Sequence, residues 1–198
     1  MGDFNGVRAE GVVSDQLQVE RVAVFNEGEQ FITIAVRLTN ISDSTLTNVA
    51  FLENHDPDQG TPIGVGANTT NDVVLGGELG LASVVNANFP AGLTIGFGSG
   101  DPRATVSIEQ FFVGNPFDVI DSPVDPDGGN GDTGLNIAFN IGELATGEST
   151  TIAFPLVLAR STDEAIAIYQ STPFALPSTA GLELVDATFA EIERQDSF

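Results

Sequence analysis

Eight consecutive residues, Asp125-Pro126-Asp127-Gly128-Gly129-Asn130-Gly131-Asp132, carry four oxygen-bearing side chains on a glycine-rich run. Calcium takes about six to eight oxygens at roughly 2.3–2.6 Å, and glycines let a chain fold back so that carboxylates and carbonyls reach one ion. Asp125, Asp127, Asn130 and Asp132 are therefore candidate Ca2+ ligands. The run is not an EF-hand loop, because glycine stands at its fourth position instead of the sixth and Asn136 occupies the twelfth, where that motif needs Glu. A solvated acidic turn draws on the same residue types.

A second acidic run, Asn54-His55-Asp56-Pro57-Asp58-Gln59-Gly60, directly follows an apolar segment ending at Leu52. Asp56 and Asp58, with Glu53 or Asn54, could hold another Ca2+, with Pro57 stiffening the loop between ligands. His55 is the only histidine, and the chain has no cysteine. Zinc usually wants two or three nitrogen or sulfur ligands, so His55 reads as an exposed loop imidazole. Phe111, Phe112 and Phe117 precede the first-named acidic run and could form an apolar platform beside it, such as glycan-binding sites use; core packing at a strand end is the competing account.

Composition removes most other chemistry. There are 28 Asp and Glu against six Arg and no Lys, for a formal net charge of -22. Without lysine there is no P-loop clamp or Schiff base, and without cysteine no thiolate nucleophile or disulfide. Nucleic acid would meet a surface of its own sign. A Ser-His-Asp triad could run only through His55, and Gly96-Phe97-Gly98-Ser99-Gly100 has its serine in the wrong place for a nucleophile elbow. That glycine run reads as a bend in a strand. A carboxylate pair for glycoside hydrolysis has no support from spacing. The chain is expected not to be an enzyme.

The elements that must position these residues are strands. Ile32, Ile34, Val36 and Leu38 alternate with Thr33 and Arg37, the two-residue period of a half-buried strand. The same alternation recurs around 135–141 and 152–158, with weaker versions at 17–25, 46–52, 93–97, 104–108 and 182–189. Turn signals between them suit an all-β antiparallel sandwich of Greek-key or jelly-roll type. One stretch breaks the rhythm: Ser161 stands three residues before Glu164 and good helix formers follow, a capping-box start for one short helix ending before Pro173. Long loops are expected at about 53–71 and 114–134, where function concentrates. Asn40-Ile41-Ser42 and Asn68-Thr69-Thr70 match the glycosylation acceptor pattern, a three-residue signal that chance also produces.

The 198 residues suit a single sandwich domain over 1–198. With no methionine besides Met1, the chain reads as a piece excised from a longer polypeptide. The stretch from Ile34 to Phe51, with its Thr39-Asn40 turn and Asn48-Val49 strand, and the stretch from Gly142 to Phe154, with Gly147-Glu148-Ser149, resemble the conserved-repeat β-sandwich modules of large secreted bacterial surface proteins. The acidic loops are similar to those of calcium-dependent adhesins; the segment from Asn68 to Gly134 departs from a minimal module. The resemblance implies an extracellular or cell-surface module, rigidified by Ca2+ and serving adhesion to a surface or matrix ligand, a glycan among the candidates, with no membrane insertion. Two other readings stay open: a secreted carbohydrate-active enzyme or its accessory domain, and a halophilic structural domain whose acids serve hydration.

Overall fold

A computed structural model describes residues 5–86, 89–110, 113–175 and 189. Eleven strands build two antiparallel sheets: β1 (Asn5–Val13), β2 (Leu17–Phe25), β3 (Phe31–Asn40), β4 (Leu46–His55), β5 (Thr69–Val74), β6 (Leu79–Asn86), β7 (Phe89–Gly98), β8 (Ala104–Glu109), β9 (Gly129–Gly131), β10 (Gly134–Leu144) and β11 (Ser149–Ala159). The larger sheet has eight strands in the order β1-β2-β3-β11-β7-β6-β5-β9, and the smaller three in the order β4-β10-β8. The fold is an all-β antiparallel sandwich. Strands with strong alternation stand where the period puts them; β1, β5, β6 and β9 carry Gly, Asn and charged residues that blur it. The alternation at 182–189 lies outside the described residues except for Phe189.

The two sheets close on one apolar layer. Ile34, Val36 and Leu38 from β3, Phe97 from β7, and Ile152, Phe154 and Leu156 from β11 meet Ile108 from β8 and Leu135, Ile137 and Phe139 from β10. Phe154 is its centre, edge-on to Phe97 at 5.2 Å and tilted against Phe139 at 5.6 Å and Phe51 at 6.4 Å. Burying each such ring or leucine stabilises the fold by about 1.5–3 kcal/mol, and one contiguous layer of them holds the two sheets together.

Both outer faces are also partly covered. The helix α2 (Thr162–Ser171) lays Ala165 and Tyr169 on Leu79, Leu81, Val157 and Ala159 of the larger sheet. Its start is the one the sequence announces: the Ser161 hydroxyl accepts from Glu164 N at 3.2 Å, and the Glu164 carboxylate accepts from Arg160 N at 2.8 Å. A second helix, α1 (Pro116–Asp121), stands inside the expected 114–134 loop. Asn115 caps it, Pro116 opens it, and Val119 packs on Ala138 of the smaller sheet.

The glycine run 96–100 lies on β7 and just past it. A Cβ at Gly98 would collide with the carbonyl oxygen of Glu78, and Ser99 N donates to that same oxygen at 3.0 Å, so only glycine permits this approach. Asn40 joins the two turns by which the chain changes sheets. It is 0% exposed, its Nδ2 donates to Ser44 O and Leu144 O at 2.8 Å each, its backbone N donates to Glu148 O, and its carbonyl accepts from Gly147 N. The Thr39-Asn40 and Gly147-Glu148-Ser149 turns are therefore one structural unit. A buried, fully engaged Asn40 side chain is also no acceptor for a glycan, unlike Asn68, which is exposed.

Candidate metal centre

Three carboxylates from two distant segments meet at one end of the sandwich. Asp56, Asp58 and Asp132 are all exposed, and each offers a carboxylate oxygen within 4.8 Å of the other two. The ladder between β4 and β10 brings them together. Leu135 pairs with His55 in an antiparallel register, so extending the same register by three residues sets Asp132 level with Asp58. The end of β4 also carries Asp56 onto the same rim.

Each loop is tied down on its far side. The amide of Gln59 donates from Nε2 to Ala82 O at 2.9 Å and to Leu93 O at 3.3 Å, which pins the 56–60 turn to β6 and β7. On the other loop, β9 pairs with β5 through Thr69 and Gly131, Thr70 and Asn130, and Asn71 and Gly129. Asn130 Nδ2 donates to Thr69 O at 3.1 Å, which occupies that amide within the ladder. Buried Gln59 Oε1 and Thr133 Oγ1, each one residue from a carboxylate of the group, have no hydrogen-bond partner among the described residues.

Electrostatics match the geometry. The Asp56 carboxyl is raised above its ordinary value by partial burial first and then by the like charges of Asp58 and Asp132, with His55 acting weakly in the opposite sense. Hard oxygen donors at this spacing suit a divalent cation such as Ca2+ and give no preference to zinc or copper.

The sequence's own grouping is redistributed. Asp132 leaves the 125–132 run to join Asp56 and Asp58. Asp125 serves the turn: its Oδ1 accepts from Asp127 N at 2.9 Å and from Val73 N at 3.1 Å. Asp125 and Asp127 stand close enough to Asp72 to raise its carboxyl, after partial burial, as like charges. Asp127 holds a left-handed backbone, φ 48°, which Asp tolerates better than most residues.

His55 departs from the expected exposed loop imidazole. It is the last residue of β4, half-buried, with its ring 5.9 Å from that of Phe97. Burial lowers its pKa from 6.5, against the raising fields of Glu53 and Asp56. Phe117 is half-buried on α1, whereas Phe111 and Phe112 lie outside the described residues. An open cleft of about 440 Å³ separates the β5 and β8 edges, lined by Val73, Ala104, Val106 and Val124 with Asp125 among its walls. No periodicity in the sequence announces it, since its walls come from three separate segments.

No family model matches the sequence, and no curated protein matches it. Among solved structures, the chain is similar to a protein provisionally described as an aldose 1-epimerase from Klebsiella pneumoniae subsp. pneumoniae, with a TM-score of 0.41 and 14% identity over 84% of this chain and 54% of that one. A TPR-domain containing protein from Parabacteroides distasonis gives 0.40 and 12%, covering 81% of this chain and 33% of that one. A protein from Escherichia coli K12, also provisionally described as an aldose 1-epimerase, gives 0.39 and 12%, covering 79% and 65%. The chain thus spans from a third to two thirds of the length of these proteins, and likeness at this level assigns it no activity.

Proposed function

We propose that this chain is a non-enzymatic binding module whose acidic end takes up a divalent cation, Ca2+ by the chemistry of its donors. The meeting of Asp56, Asp58 and Asp132 from two loops carries this reading, because one ion bridging them would lock both loops and relieve the repulsion that raises Asp56. Gln59 Oε1 and Thr133 Oγ1, buried and unpartnered on residues next in sequence to Asp58 and Asp132, are further oxygens of the right hardness.

The reading extends to an extracellular or cell-surface module that serves adhesion or captures a surface or matrix ligand, with glycans as one candidate class. Millimolar calcium outside cells would saturate even a weak site and offset part of the charge of -22. The cleft beside Asp125 is one concave surface open to such a ligand. Among the described residues no helix is long and apolar enough to cross a membrane.

Thermal unfolding in chelator and in rising free Ca2+, paired with calorimetric titration, tests the proposal. At 100 times the dissociation constant one site adds about 2.7 kcal/mol, a rise of roughly 5–10 degrees in a chain of this size. Mg2+ should give a smaller shift, because it demands a tighter octahedron than two flexible loops supply. Identical melting in chelator and in millimolar Ca2+, with no binding heat, would overturn the reading.

A further inference from the structure

Among the described residues the two ends of the eight-stranded sheet are built oppositely. At one end β9 is three residues long and flanked by Asp125, Asp127 and Asp132, two of the devices, shortness and charge, that keep a sheet edge from pairing. At the other end β1 runs nine residues in unbroken register with β2, from Asn5 opposite Phe25 to Val13 opposite Leu17. It contains no proline, no lysine and no bulge, and eight of its nine residues are exposed. Four of the eight exposed large apolar side chains among the described residues belong to the β1–β2 hairpin: Val7, Val12, Val13 and Phe25, at 48–70% exposure.

Charge separates this edge from the rest of the surface. Across 5–25 two arginines face three acids, so the hairpin is almost neutral in a chain of net charge -22. Within β1 itself Arg8 and Glu10 cancel. Repulsion between copies is therefore low here.

We infer that β1 is a self-pairing edge, on which a second copy of this chain adds its own β1 antiparallel about a twofold axis at Ala9. The strand's sequence selects that register. With Ala9 on the axis, Arg8 of each copy lies opposite Glu10 of the other, Val7 opposite Gly11, and Val12 opposite Gly6. Opposite charges pair, Val7 and Val12 each meet a glycine, and Val13 meets Asn5. A shift of the axis to Arg8 or to Glu10 would set like charges directly against each other. Arg8 bonds Glu20 of β2 at 2.7 Å and Glu10 at 3.4 Å within its own chain, so the partner's Glu10 would join a group of carboxylates already gathered on this guanidinium. A twofold axis uses the same patch twice, closes the assembly at two copies, and joins the two eight-stranded sheets into one.

The test is solution mass against concentration for the full chain, with hydrogen exchange followed over the same range. The mass should rise from 20.6 kDa toward twice that value between low and high micromolar protein, and amides of residues 6–12 should slow in step. Arg8→Glu sets Glu against Glu at both ends of the pairing and should weaken association roughly tenfold or more. The double variant Arg8→Glu with Glu10→Arg restores both pairs and should restore association. A mass of 20.6 kDa at every concentration overturns the inference. So does doubling of mass with unchanged exchange in β1, which would mean a different surface, and so does growth beyond two copies. If a variant fails to fold, the exchange of the unaltered protein still decides.

Discussion

The corner at Asp101 and the rim at Asp56 face the same electrostatic problem and handle it differently. Burial raises Asp101, yet Arg103 reverses the outcome. Its Nη2 meets Asp101 Oδ2 at 2.6 Å, its Nε and backbone N reach Oδ1, and the carboxyl ends below its ordinary value. The guanidinium is fastened in turn to Thr150 Oγ1 at 2.8 Å and Thr151 O at 2.9 Å, so the corner carries its own countercharge. Among the described residues Asp56 has the like charges of Asp58 and Asp132 beside it, with half-buried His55 opposing them weakly, and it ends above its ordinary value. An acid that the fold neutralises is architecture. Three acids gathered with no cationic side chain of the described residues bonded to them are the place to look for a ligand.

Breaking the neutralised corner should have the largest effect. Arg103→Ala strands a carboxylate whose side chain keeps 14% exposure and removes the two threonine bonds. The expected loss is about 3 kcal/mol by denaturant titration at neutral pH, at the low end for a severed pair because Arg103 is partly solvated. The sign of the pH dependence also follows. Asp101 is lowered in the folded state, so its contribution is present above 3.8 and is lost as pH falls through the folded value. In the variant burial is opposed only by the backbone N–H of residue 103, and the deficit should shrink on acidification through the carboxylate range.

The rim should respond to ions instead. Asp132→Asn removes a charge from the three-carboxylate group, whereas Asp125→Asn alters a turn that bonds Val73 N and Asp127 N. In melting experiments with and without Ca2+, Asp132→Asn should lose most of the ion-dependent gain of about 2.7 kcal/mol at 100 times the dissociation constant, and Asp125→Asn should retain it. Equal losses in both variants would erase the distinction between the group and the turn.

The smallest effect should come from His55. Its ring against Phe97 contributes about 1 kcal/mol, which His55→Phe should keep and His55→Ala should lose. The folded imidazole is lowered from 6.5, so this stability is present above 6.5 and declines as pH falls below it. The Phe variant should show no such decline, as read from melting temperature against pH.

The strong strands were legible because alternation is a property of a single segment: Ile32 to Leu38 has one apolar face whatever it packs against. The start of α2 was legible for a similar reason, since Ser161 and Glu164 act within one turn of chain. β5, β6 and β9 were not, because Asn71, Gly80 and Asn130 are held by neighbours and not by their own pattern. The same division runs through the candidate site. The sequence determined that oxygen donors crowd into the runs at 54–60 and 125–132, since composition is local. It could not determine that Asp132 would part from Asp125 and stand beside Asp58. That depended on Leu135 pairing with His55, and a ladder's register is set by the two faces that must be buried together, which exist only once both sheets have closed on Phe154.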